Sequence, residues 1–213
     1  MSRLVQRYYD RRAPEYDDWY RGTGRFASRD RPGWDDDLAA LIRALAALPP
    51  ARTLDVACGT GFRTRHLPGD VTGLDRSAPM LEIARERIAR VVRGGALALP
   101  FPDDAFERVA AGHFYGHLQA PERARFLAEA ARVAAELLVV DSARRADVPA
   151  ERWDPRVLSD ESRHRVYKRW FTGAQLAAEV GGELVHAGRW FVAVLARGAS
   201  AAESGSASAD PHR

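Results

Sequence analysis

Apolar residues along this chain follow two rhythms. Over residues 34–48, Leu38, Leu41, Ile42, Leu45 and Leu48 recur every three or four positions, which predicts an amphipathic helix stopped by Pro49-Pro50. After it come short apolar runs at residues 53–56, 71–74, 108–111 and 137–140, each too short for a helix and each bounded by turn residues, which reads as buried strands. Between them, residues 61–67 can begin a helix, residues 79–88 form a helix with Pro79 in its first turn, and residues 121–134 form another. A helix over residues 172–180 and strands at 183–186 and 190–196 follow, the two strands joined by a short link that predicts an antiparallel hairpin. Strand and helix in alternation imply an α/β fold of Rossmann-like type: a mainly parallel seven-stranded sheet, helices on both faces and a C-terminal antiparallel hairpin.

The pattern weakens in three places. Residues 2–10 can form a short helix, but beyond it Tyr16, Trp19 and Tyr20 crowd aromatics between Pro14, Gly22 and Gly24, so residues 1–33 read as an arm or lid. A polar, arginine-rich stretch from Asp141 to about Arg165 exceeds an ordinary connection and is a candidate functional insertion. Residues 199–213 carry no apolar pattern and read as a disordered tail, which leaves residues 34–198 as one domain.

Composition narrows the class. Hydrophobic residues make up 46% and charged residues 29%, and no apolar run approaches the roughly 20 residues that span a bilayer, so the expectation is a soluble cytoplasmic protein without a membrane partner. The lone Cys58 can form no internal disulfide, which fits a reducing compartment, and no cluster suggests a metal site. The net charge is only +3 and the charges are scattered, which disfavours nucleic acid as a partner. Oligomeric state is left open.

The informative run is Leu54-Asp55-Val56-Ala57-Cys58-Gly59-Thr60-Gly61, a strand that ends in a Gly-x-Gly turn. Gly59 and Gly61 allow a ligand close to the backbone, and a helix start beyond them would offer N–H donors to a carboxylate. Asp75 closes the next strand, where a carboxylate can accept both hydroxyls of an adenosine ribose. The third glycine of a dinucleotide loop is absent, Thr64 standing in its place, which turns the reading away from NAD.

With these residues the chain resembles the class I S-adenosylmethionine-dependent methyltransferases, in particular the small-molecule subgroup that includes ubiquinone and menaquinone biosynthesis enzymes. The resemblance covers about residues 8–196 and implies S-adenosylmethionine as cofactor and S-adenosylhomocysteine as product. It implies that Asp55 helps hold the methionine moiety, that Ala57, Gly59 and Gly61 line its path, that Asp75 binds the ribose, and that Arg76, Met80, Ala96 and Leu97 surround the adenine. Tyr16 and the arm would close over the cofactor, and His113 would follow the fourth strand beside it. Two departures stand out: Gly95 replaces an aspartate that contacts the adenine amino group, and Ala134-Ala135-Glu136 replaces a Pro-Gly-Gly turn.

Methyl transfer from a sulfonium needs alignment and exclusion of water more than acid–base apparatus. For a phenol, amine or acidic carbon one base helps, and His117 and His113 are the candidates. Tyr20, Tyr115, Arg165 and Tyr167 are candidate substrate contacts, the arginine-rich run being able to receive an anionic acceptor or, as a plainer reading, to form a solvated salt-bridged surface. Two other functions fit the same residues: a protein of this fold that catalyses a non-methylating step, and an RNA methyltransferase or nucleic-acid binder.

Overall fold

The computed structural model describes residues 3–198; the tail expected at residues 199–213 lies outside the described residues. In chain order the elements are α1 (Arg3–Arg12), α2 (Asp18–Arg21), α3 (Trp34–Ala46), β1 (Thr53–Val56), β2 (Val71–Asp75), α4 (Ala78–Ala84), β3 (Arg90–Arg93), β4 (Arg108–Gly112), α5 (Ala120–Val133), β5 (Glu136–Ser142), β6 (Glu151–Val157), β7 (Arg163–Arg169), α6 (Gly173–Val180), β8 (Glu183–Ala187) and β9 (Phe191–Arg197). Seven strands form one sheet in the order β3-β2-β1-β4-β5-β9-β8, parallel from β3 through β5, with β9 antiparallel to both β5 and β8. This is the Rossmann-like sheet with a C-terminal hairpin that the pattern predicts.

Period-two alternation assigns the two faces. Leu54, Val56, Val109, Ala111, Val139, Val192 and Val194 turn to one side, where Phe126, Ala130 and Val133 of α5 and Leu176 of α6 pack on them. Ala110, Leu138, Val140, Phe191, Ala193 and Leu195 turn to the other, against Trp34, Leu41 and Leu45 of α3. The central strands are buried on both faces, which is why they read as unbroken apolar runs.

Three elements differ from the sequence reading. The edge strand β3 is unmarked in the pattern because its residues, Arg90-Val91-Val92-Arg93, are only half-buried at most and charged at both ends. The helix expected over residues 61–67 shrinks to a single 3-10 turn, Thr64–His66, ended by Leu67 in extended conformation with Pro68 and Gly69 beyond it. The long insertion is not a loop: β6 and β7 pair antiparallel as a separate two-stranded ribbon. Leu158 and Val166 of that segment pack with Tyr8 of α1, so arm and ribbon meet, and the ribbon rests by the C-terminal end of β5 through Lys168 on Asp141.

Candidate active site

The strand order reverses between β1 and β4, whose C-terminal ends open a crevice where open α/β sheets bind ligands. Both strands leave the sheet through strained backbone: Ala57, one residue past β1, has φ 56°, and His113, one residue past β4, has φ 52°. Non-glycine residues in the left-handed region mark places where surrounding structure over-determines the chain. Gly59 and Gly61, at φ 57° and 73°, continue the turn, and a side chain at Gly61 would strike Ile88.

Two cavities flank this crevice. The first, about 230 Å³, is lined by Ala57, Gly59, Asp75 and Arg76 at its polar end and by Met80, Ala96 and Leu97 along an apolar slot. Asp75 accepts the Gly59 N–H at 3.0 Å and the Ser77 N–H at 2.9 Å, so the carboxylate ties the glycine turn to the start of α4. Burial raises its pKa above the usual carboxylate range, and these donors only partly offset that. Gly95 also lines the slot, and a β-carbon there would find nothing closer than Arg76 Cδ at 4.0 Å.

The second cavity, about 410 Å³, lies beyond Tyr9, Tyr16 and His113, which border both. Its other walls come from the arm (Arg12, Trp19), from the ribbon (Asp154, Lys168) and from His117. The arm is pinned down by Asp17, which accepts the Thr60 hydroxyl at 2.5 Å on the glycine loop and pairs with Arg87 at 2.8 Å. That contact sets Tyr16 directly over Gly59, the ring 3.3 Å from where a β-carbon would sit. Tyr16 is half-buried, and desolvation raises its phenol to about 12.

The two histidines are held neutral. His117 Nδ1 lies 2.6 Å from the Tyr167 carbonyl oxygen, which only accepts, so Nδ1 carries the proton and Nε2 keeps its lone pair. Burial drives its basicity well down, with the Lys168 cation adding to the effect. His113 is lowered by burial and then by Lys168 and Arg63, and its buried Nε2 has no partner. Beneath both lies Asp141 at the end of β5, which accepts the Gly116 N–H at 2.7 Å and forms a buried ion pair with Lys168.

Several of the residues expected at the site line neither cavity. Asp55 does not line either cavity; it accepts the Thr64 hydroxyl at 2.5 Å and lies 3.7 Å from the Arg63 guanidinium, bracing the glycine turn from below. Gly61 likewise packs on α4 and not on the crevice. Tyr20 stacks on Phe62 at 4.4 Å, and Tyr115 donates to Glu179 at 3.1 Å; neither reaches a cavity. Arg165 and Tyr167 fail for a geometric reason. On the ribbon, Arg152, Asp154 and Arg156 and, opposite, Val166 and Lys168 line the cavity, whereas Arg165 and Tyr167 alternate onto the other face opposite Pro155 and Trp153.

The two residues beneath the histidines carry faint signals in the sequence, and Lys168 belongs to the basic run already expected to receive an anionic acceptor. Asp141 closes an apolar strand as Asp75 does, and Lys168 is the one lysine in a chain that otherwise uses arginine. Arg63 gave none: its guanidinium is buried against Gly112, with Nε and Nη1 lacking partners.

Against known families, residues 54–136 match the model described as "Methyltransferase domain". A demethylmenaquinone methyltransferase of Lactiplantibacillus plantarum is 34% identical over 143 residues, covering 61% of this chain and 57% of that protein. The chain thus spans little more than half the length of that curated relative. Among solved structures, the DhpI–SAM–HEP complex superposes with a TM-score of 0.68 at 24% identity over 92% of this chain and 98% of the other. The DhpI–SAH complex gives 0.65 at 26% identity over 93% and 99%.

Proposed function

We propose that this chain, which shares the class I methyltransferase fold over 92% of its length and matches a methyltransferase domain over residues 54–136, transfers a methyl group from S-adenosylmethionine to an oxygen, nitrogen or carbon atom of a small-molecule acceptor. The observation that carries this reading is the pair of cavities meeting at Tyr9, Tyr16 and His113, one suited to an adenosine and the other to a second reactant.

The residues of the first cavity fit the cofactor. Asp75 presents a carboxylate to ribose hydroxyls, Met80, Ala96 and Leu97 supply the flat apolar slot an adenine needs, and Ala57 and Gly59 expose backbone along the path of the methionyl chain. Arg63 adds positive charge beneath Gly112 at the end where an amino-acid carboxylate would lie. When bound, the cofactor supplies an electrophilic sulfonium methyl group. The chain's own part is to align the acceptor and exclude water, which Tyr9 and Tyr16 of the arm support by walling off the junction. His117, with its Nε2 lone pair free and its ring neutral, takes the role of general base toward an acceptor O–H or N–H. His113, strained and without a partner at Nε2, orients the acceptor at the boundary.

Among the described residues no helix is long and apolar enough to cross a membrane. A cytoplasmic, membrane-free setting is part of the same reading, supported by the single buried thiol of Cys58.

Calorimetry with S-adenosylhomocysteine tests the proposal. One molecule per chain is expected to bind, and Asp75→Ala is expected to weaken binding about 100-fold, the scale of losing two hydrogen bonds to a charged acceptor. No binding to the wild-type chain would end this reading.

A further inference from the structure

The second cavity is unusual in its charge. Seven cationic side chains face it against three carboxylates, Asp30, Asp147 and Asp154. The carboxylates are already engaged or outnumbered. Asp147 pairs with Arg145 at 3.0 Å, and Asp154 is shared by Arg152 at 2.7 Å and Arg156 at 2.8 Å. Lys168 is neutralised from below by Asp141. Arg12 and Arg29 have no carboxylate within ion-pair distance among the described residues. Arg12 is buried to 8% exposure in a box of Tyr8, Tyr16 and Phe26, with one N–H donated to the Tyr8 hydroxyl at 2.7 Å. Arg29 also lies over Phe26, 4.7 Å from the ring centroid.

Resting on the transferase reading above, we infer that the acceptor is a small molecule bearing an oxyanion, a carboxylate or phosphate, which Arg12, Arg29 and Arg156 hold while its methyl-accepting atom points toward His117 and the first cavity. The argument is one of missing charge. Guanidinium groups gathered around a low-dielectric cavity repel one another, and a fold keeps such a cluster only where something else compensates it. Arg29 shows the strain: burial lowers its hold on the proton, and Arg156 and Arg12 lower it further, against a single opposing carboxylate, Asp154. Arginine forks also match planar oxyanions in a way that no uncharged ligand uses. An uncharged quinol with a long apolar tail would gain nothing from these donors and would strip them of water at a cost.

The deciding experiment titrates the full-length chain with inorganic phosphate and with benzoate, each with and without saturating S-adenosylhomocysteine, and with phenol as the uncharged control. Benzoate or phosphate is expected to bind and to weaken as sodium chloride is raised, while phenol does not compete. Arg29→Gln, at the exposed mouth of the cavity, is expected to lower anion affinity roughly tenfold. The same variant should leave S-adenosylhomocysteine affinity within about twofold, since Arg29 is absent from the first cavity. Cofactor binding with no anion binding overturns the inference and spares the transferase reading. Anion binding without cofactor binding does the reverse. Anion affinity that is unchanged in Arg29→Gln, or phenol binding more tightly than benzoate, also overturns it.

Discussion

The two cavities are neighbours that share a wall, yet they are built on opposite plans. The polar end of the first is made largely of backbone and small side chains at the turns that follow β1, β2 and β3, with Asp75 as its organising charge. The second is assembled from long charged and aromatic side chains drawn from the arm, the turn after β4 and the ribbon. A site whose geometry is set by glycine turns and strand ends tolerates change in its surroundings. One set by side chains changes its preference with single substitutions. The contrast teaches where this protein keeps what is common to its fold and where it keeps what is its own.

The severest test of that contrast is the floor of the second cavity. Lys168→Met strands the Asp141 carboxylate without its counter-charge, and about 3–5 kcal/mol of stability is expected to go. Urea denaturation measures it, and adding Asp141→Asn should recover part of the loss. If Lys168→Met is neutral, the ribbon is not anchored by this pair and the second cavity is not a rigid structure.

His117→Gln separates the cavities by kinetics. His117 lines only the second, so turnover of a hydroxylic or amine acceptor should fall about 100-fold or more, with S-adenosylhomocysteine affinity unchanged by calorimetry. A fall in cofactor affinity instead would merge the two regions into one.

Acid sharpens the contrast further. His113 and His117 stay neutral in the folded chain well below the ordinary histidine value of 6.5, whereas in the unfolded chain they protonate near it. The unfolded state therefore binds more protons below that pH, and the stabilising contribution, complete above it, declines from there as pH falls toward the lower folded-state values. Each histidine contributes a slope of about 1.4 kcal/mol per pH unit in that acidic window. Melting temperatures of the wild type and of His117→Gln between neutral pH and mild acid check it; the variant should lose about half of the histidine slope.

The smallest effect should be a gain. Gly95 leaves room for a β-carbon, with Arg76 Cδ the nearest atom at 4.0 Å, so Gly95→Asp restores a carboxylate at the adenine end. Cofactor affinity is expected to rise about threefold to tenfold, from one added hydrogen bond. Acceptor affinity should not move.

The same division explains what could be read from the chain alone. The alternation of central strands with helices, the C-terminal hairpin, the glycine turn and Asp75 are local in sequence and constrained by backbone, so spacing reveals them. Asp55 was assigned to the ligand because nothing in a motif says which way a strand residue turns; in the structure it braces the turn through Thr64 and Arg63. The ribbon was illegible because charged residues occupy both of its faces, which hides the alternation that an apolar face would display. Of the basic run expected to meet the acceptor, Arg156 and Lys168 face the cavity whereas Arg165 and Tyr167 alternate away from it, a distinction of odd against even positions that the sequence does not display. His113 and Ala57 carry positive φ with no sequence mark at all.

Lys168 has a consequence for handling the protein. It is the only lysine in the chain, it is 3% exposed, and its ammonium is held on Asp141. Amine-directed acylating reagents, cross-linkers and dyes therefore meet no side-chain amine on the folded surface, and they modify Lys168 only when the ribbon lifts from β5. Mass spectrometry of that one adduct over time reads the opening rate of the acceptor side directly, with no engineered label.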